Sequence, residues 1–230
     1  MKTIGILAGM SWQSSVIYYQ ELNLAIQKKL GANHSAKIVM YSVDFAPIVK
    51  LQHENKWQEI KNILIDAAKK VEKAGADFLL IATNTMHKLA EDINEAINIP
   101  IVHIADEVGQ AISNDNINTV GLLATSFTMR EDFYKDYLLN NYNINTIVPQ
   151  QKDIKIVHNV IYNELCLGNV LTSSREEYLR IIDNLVSKGA EGIILGCTEI
   201  PMLLTKSHSK VKMYDSTKLH INKAIELALV

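Results

Sequence analysis

The sequence predicts an α/β protein made of two similar parallel-sheet domains. Three observations lead there. Short β-branched runs alternate with helical patterns along all 230 residues. Several of those runs are apolar almost throughout, as parallel strands covered on both faces should be. Finally, the chain repeats itself: "LLIATNTMHKL" (79–89) returns in altered form as "IILGCTEIPML" (193–203), each after a Gly-Ala-acidic step. The two copies lie 114 residues apart, and "IGILAGMS" (4–11) resembles "VGLLATSF" (120–127) at an offset of 116. Two offsets that nearly agree, in the same order, indicate duplication of a unit of about a hundred residues.

Taken in order, the expected strands are 3–8, 37–43, 77–83, 101–104, 119–125, 145–149, 192–197 and 211–215. Between them, Trp57, Ile60, Leu64, Ala67 and Val71 form one apolar stripe at helical spacing, and Tyr178, Ile181, Ile182 and Leu185 form another. Gly75 and Gly189 stand where these helices should stop in a left-handed residue. Pro100 interrupts a helix near 98–107, which suggests a break there. The expected first domain is 1–98 completed by the tail 209–230, and the second is 99–208.

Composition narrows the function classes. Apolar residues make up 48% and charged residues 21%, ordinary values for a globular chain. A formal net charge of −2 gives no electrostatic reason to expect nucleic acid or an anionic membrane as partner. No apolar run approaches a bilayer-spanning length. The opening "MKTIGILAGMSW" reads as a first strand and not as a signal peptide. Two cysteines, Cys166 and Cys197, make no disulfide framework, and a cytoplasmic location is expected. "GILAG" has neither dinucleotide-binding nor phosphate-loop spacing, and His103 and His158 show no metal-ligand spacing, so no nucleotide cofactor and no metal is expected.

In parallel sheets functional groups collect at the carboxyl ends of strands. Thr83 and Cys197 occupy equivalent strand ends in the two copies, and Met10, Ser11, Thr125, Ser126 and Thr128 follow the other repeated strands. If two such domains face each other about a pseudo-twofold axis, these groups approach one cleft from opposite sides. Two groups on opposite faces of a small substrate suit inversion at carbon, one removing a proton and the other delivering one. A thiol suits the first task, since its reference pKa of about 8.5 falls at a helix N-terminus. Pro201 is placed to open a helix whose amides point at Cys197. A threonine hydroxyl is a poorer base but can donate or relay a proton. His87, four residues beyond Thr83, is a helix-face residue or a relay. Cys166 reads as a core thiol, and His103 and His158 as structural or surface residues.

"IILGCTEIPML" resembles the second cysteine motif of the aspartate/glutamate racemase family. "LLIATNTMHKL" resembles the first, with Thr83 where that motif ordinarily has cysteine. "KTIGILAGMSW", "YSVDFAPI" and "LLATSFTMR" are similar to further segments of the family, so the likeness covers most of the chain. The resemblance implies two α/β domains with the active site between them, a two-base mechanism without pyridoxal phosphate, an acidic amino acid (L-aspartate and/or L-glutamate) as substrate, and a homodimer. It gives Cys197 and Thr83 the acid-base roles. Asn84, Thr85 and Thr198 would hydrogen-bond the α-carboxylate, with Met10, Thr125 and Ser126 shaping the pocket. Glu199 would orient the thiol or hold its helix, and Gln52 and Glu164 would be pocket residues. Where some racemases of this family carry an arginine after the second strand, this chain offers Lys50 and Gln52. Two other readings stand beside the racemase. One is a one-cysteine decarboxylase or isomerase of small dicarboxylates, and the other is an amino-acid-binding protein without catalysis.

Overall fold

The computed structural model describes residues 1–205 and 208–230. Contacts divide the chain into two units, 1–103 with 220–230 and 104–219. In the first unit the order is β1 (Ile4–Ala8), α1 (Trp12–Leu30), β2 (Ile38–Ser42), α2 (Phe45–His53), α3 (Trp57–Lys73) and β3 (Phe78–Ile81). A short 3₁₀ helix (Thr85–Leu89), α4 (Ala90–Ala96) and β4 (Ile101–Val102) follow. The second unit runs α5 (Ile104–Asn114), β5 (Thr119–Ala124), α6 (Ser126–Arg130), α7 (Phe133–Tyr142), β6 (Asn145–Ile147) and α8 (Gln151–Asn163). It continues with a 3₁₀ turn (Leu165–Leu167), α9 (Thr172–Ser187), β7 (Gly192–Gly196), α10 (Ile200–Leu203), β8 (Lys212–Asp215) and α11 (Ser216–Ala228), the last crossing back into the first unit.

Each unit holds one four-stranded parallel sheet, and the two sheets share a strand order: β2-β1-β3-β4 and β6-β5-β7-β8. All eight expected strands are present. β1, β3 and β7 are buried at every position, so their apolar runs are those of strands covered on both faces. The duplication read from two segments is therefore a duplication of whole sheets.

In the first unit the core lies in two layers. One side of the sheet packs against α3 through Ile60, Leu64, Ala67 and Val71 of the predicted stripe, with Ala68 beside them and Trp57 half-buried at its edge, and the other against Tyr18, Leu22 and Ile26 of α1. Ile221, Ala224, Ile225 and Ala228 of α11 join the second layer. The second unit has one continuous core, to which α9 contributes Tyr178, Ile181, Ile182 and Leu185. Gly75 and Gly189 follow α3 and α9 with φ of +93° and +100°, conformations that cost a side-chain-bearing residue. Among the described residues no helix is long and apolar enough to cross a membrane.

The division differs from the expected 1–98 plus 209–230 and 99–208. β4 pairs with β3, which carries the first unit to His103. The tail strand β8 pairs with β7 as the fourth strand of the second sheet, and only the chain from His220 onward returns. A single apolar strand with a helix after it fits either sheet in sequence terms. Pairing partners decide.

Candidate active site

The strand order puts the crossover connections of each sheet on opposite sides of its second-listed strand. Beyond the carboxyl ends of β1 and β3, and of β5 and β7, successive connections therefore run in opposite directions, the usual place for chemistry in such sheets. Thr83 lies two residues past the end of β3, and Cys197 directly follows β7.

In the first unit, the loop after β1 carries Met10, which is buried, and Ser11, whose hydroxyl caps α1 by accepting from the Ser14 amide at 3.4 Å. Gly9 lets this loop pass tightly over the end of β2. Its φ is +96°, and a Cβ there would meet the Val43 carbonyl oxygen at 2.2 Å. At the end of β3 the Thr83 amide turns back to the Ile81 carbonyl at 2.8 Å, and Asn84 and Thr85 follow, both buried. Gln52, on the last turn of α2, is 3% exposed, and its Oε1 has no hydrogen-bond partner among the described residues. A buried acceptor in that condition is suited to a donor brought by a ligand. Lys50 instead meets Glu54 at 3.9 Å with its side chain largely in solvent.

In the second unit, Thr125 caps α6 through its hydroxyl, which accepts from the Thr128 amide, and is buried. The Ser126 amide donates to His158 Nδ1 at 3.2 Å, and the His158 ring packs on Tyr162 with centroids 4.6 Å apart. Glu164, at the end of α8, accepts a hydrogen bond from Ser174 Oγ at 2.5 Å.

Glu199 is the hub of this unit's site. The Cys197 thiol donates to Glu199 Oε2 at 2.9 Å, and the Thr198 hydroxyl donates to the same oxygen at 2.7 Å. Cys166, half-buried on the 3₁₀ turn that packs against α10, also hydrogen-bonds the Glu199 carboxylate. It is therefore not only a core thiol, and no spacing in the sequence connects positions 166 and 199.

The thiol's resting state reverses the expected direction. Burial, followed by the negative charge and hydrogen bond of Glu199, holds Cys197 well above the usual thiol range. The Glu199 backbone N–H does act to lower it, but has the weakest influence of those named. α10 is only four residues long, and its first amides serve the turn, with Ile200 N on Cys197 O and Met202 N on Glu199 O. Burial and the same carboxylate push Cys166 up to about 12. Both thiols are protonated in the ligand-free protein at neutral pH.

Sequence reasoning also missed a cluster in the first unit. His87 Nδ1 lies 2.8 Å from the Thr83 carbonyl oxygen, and its ring packs edge-on against His103 and His220. Among the described residues no group of His, Cys, Asp and Glu side chains has a geometry that would hold a metal ion.

The description of the Asp/Glu/Hydantoin racemases matches residues 7–224. The chain belongs to that family. Its fold is that of the Asp/Glu racemases, and membership makes it an isomerase with amino-acid racemase activity. It is 26% identical over 219 residues to a broad specificity amino-acid racemase, RacX, of Bacillus subtilis (strain 168), covering 93% of this chain and 92% of the relative. A candidate Asp/Glu racemase from Yersinia pestis has a solved structure that superposes with a TM-score of 0.93 at 41% identity, covering 100% of both chains. An aspartate racemase homologue from Pyrococcus horikoshii OT3 superposes with a TM-score of 0.85 at 34% identity, again over 100% of both chains.

Proposed function

We propose that this Asp/Glu racemase interconverts the enantiomers of aspartate and/or glutamate without a cofactor, using Cys197 and Thr83 on opposite faces of the α-carbon. One observation carries the reading. The two groups occupy the same place in two sheets of identical strand order, each just past the third strand in that order, and one is a thiol already hydrogen-bonded to a carboxylate.

A protonated thiol cannot abstract a proton until it gives up its own. Glu199 Oε2, 2.9 Å away, is the acceptor. The same negative charge that keeps the thiol protonated in the empty site is offset when a substrate brings its α-ammonium. Thiolate formation is then coupled to binding. The thiolate takes the α-proton, the electron pair delocalises into the α-carboxylate, and the Thr83 hydroxyl supplies a proton from the other face. Thr83 regains its proton from water and Glu199 releases the one it took from the thiol to water, so both groups return to their starting states. Asn84, Thr85 and Thr198 hold the α-carboxylate, with Met10, Thr125 and Ser126 around it. The unpartnered Gln52 Oε1 suits the ammonium, and Glu164 is a pocket residue. Aspartate and glutamate enantiomers have equal free energy in water, so kcat/KM is the same from either side. A Thr83 that donates in one direction accepts in the other. The asymmetry of the pair appears instead in exchange: Cys197 exchanges the α-proton of one enantiomer, taken as L, faster than inversion occurs.

Incubation with L-Asp, D-Asp, L-Glu and D-Glu followed by chiral chromatography tests this, with Cys197→Ser alongside. Inversion of at least one acidic pair that vanishes in the variant is the expected result. The presence of a thiol at only one of the paired strand ends favours a second reading, protonation on one face by a decarboxylase or isomerase of small dicarboxylates. Turnover without inversion would select it. Binding without turnover would leave an amino-acid-binding protein.

A further inference from the structure

Three histidines far apart in the chain meet within the first unit. The His87 ring lies 4.7 Å from that of His103 and 5.8 Å from that of His220, both edge-on. His87 and His220 are buried, and His103 is half-buried. His103 and His220 are also the residues at which the chain leaves the first unit and re-enters it.

Partners determine where the protons sit. His220 Nε2 faces the Val102 carbonyl oxygen at 2.8 Å, and a carbonyl only accepts, so the proton is on Nε2. Nδ1 of the same ring then accepts from the Tyr18 hydroxyl at 2.8 Å. His87 Nδ1 faces the Thr83 carbonyl oxygen at 2.8 Å and by the same argument carries a proton. The Val102 carbonyl, which accepts from His220, also interacts with His87, and the close ring-nitrogen contact of His87 is the one from Nδ1 to Thr83. A buried ring beside two other imidazoles stays neutral, and Nδ1, 2.8 Å from a carbonyl that can only accept, takes its single proton.

That bond falls where the backbone changes course. The Thr83 amide turns back to Ile81, and the following short helix begins its own ladder one residue later, with His87 N on Asn84 O at 3.1 Å. We propose that His87 is a positioning residue for Thr83: its Nδ1–H, aimed by the packed rings of His103 and His220, anchors the Thr83 carbonyl and so aims the hydroxyl. This deepens the racemase reading and rests on it for the role of Thr83. A hydroxyl is a weak acid-base group, and its contribution depends on alignment with the reacting carbon.

Two isosteric substitutions separate positioning from bulk. In His87→Asn the amide NH₂ stands where Nδ1 was and can still reach the carbonyl. In His87→Gln the NH₂ stands where Nε2 was and cannot. NMR of the Thr83 carbonyl carbon and the Asn84 amide nitrogen bonded to it reads the anchor directly, whether or not the protein turns over. Those signals should match wild type in His87→Asn and shift in His87→Gln. With an acidic amino acid in heavy water, His87→Gln should lose about 10- to 100-fold in inversion while keeping α-proton exchange on the Cys197 face. His87→Asn should recover inversion. Equal shifts in the two variants, or equal loss of exchange and inversion, would overturn the proposal. If His87→Gln does not fold, His87→Asn decides: unchanged signals support the anchor and displaced signals refute it. A wild type that inverts neither aspartate nor glutamate would remove the racemase reading, and the NMR result would still decide the anchor.

Discussion

The Cys197 thiol gives its hydrogen bond to the carboxylate of Glu199, two residues on, at 2.9 Å in a buried setting. Glu199 thus has two opposing effects: it discourages the thiolate in the empty site, and it is the base that would accept the thiol proton.

Glu199→Gln should therefore move two measurements in opposite directions. Removing the negative charge takes away influences that raise the thiol, so alkylation of Cys197 in ligand-free protein becomes faster at fixed pH, read by site-resolved mass spectrometry. Removing the proton acceptor slows racemisation by about 10²- to 10⁴-fold. A variant that alkylates more slowly than wild type would contradict this account of the thiol's resting state.

Thr83→Ala should slow inversion strongly but spare exchange. Heavy-water incubation followed by proton NMR is expected to show deuterium entering the enantiomer that presents its α-proton to Cys197, with inversion down about 10²- to 10⁴-fold. Thr83→Cys restores a symmetric pair of thiols and should raise kcat in both directions. Loss of exchange in Thr83→Ala would place both functions on one face.

Stability should fall on the acid side. Burial lowers His220 from 6.5 to about 4, and His87 shifts the same way, again mainly by burial. For a group whose folded pKa is depressed, the full stability is present above the unfolded value near 6.5. It declines as pH falls toward 4, because only the unfolded chain takes the proton. His220 alone accounts for about 3 kcal/mol of loss by pH 4. Urea midpoints at pH 7, 5 and 4 measure it. His220→Gln keeps a donor at the Nε2 position without titrating, and should flatten the slope.

Gly9→Ala should damage the loop after β1. The left-handed φ and the 2.2 Å approach of a Cβ to the Val43 carbonyl oxygen predict a cost of about 2 kcal/mol or more. Met10 and Ser11 sit on that loop, so acidic amino acids should also bind more weakly, a change that calorimetric titration reads beside the lowered melting temperature.

Much of this architecture is legible in the chain. Eight β-branched runs became eight strands, and the two apolar stripes became the buried faces of α3 and α9. These follow from alternation and helical spacing, which involve neighbours in sequence. The short repeat around Thr83 and Cys197 also pointed to paired strand ends, because duplicated strands keep their loops in register. What could not be read depends on partners far away. Nothing in the spacing tells that β8 pairs with β7 and not with the first sheet, or that His220 meets His87 across more than a hundred residues. Nor does it tell that Cys166 shares a carboxylate with Cys197.

The amino-acid order by itself determined the α/β class, the duplication, and the choice of a thiol at one strand end and a hydroxyl at its counterpart. Those are matters of local hydrogen bonding, side-chain periodicity and residue identity. Only the tertiary structure decided that the thiol rests protonated on Glu199 and that an imidazole holds the Thr83 carbonyl. Desolvation and the direction of a hydrogen bond depend on every group packed around an atom, and packing brings those groups from all parts of the chain.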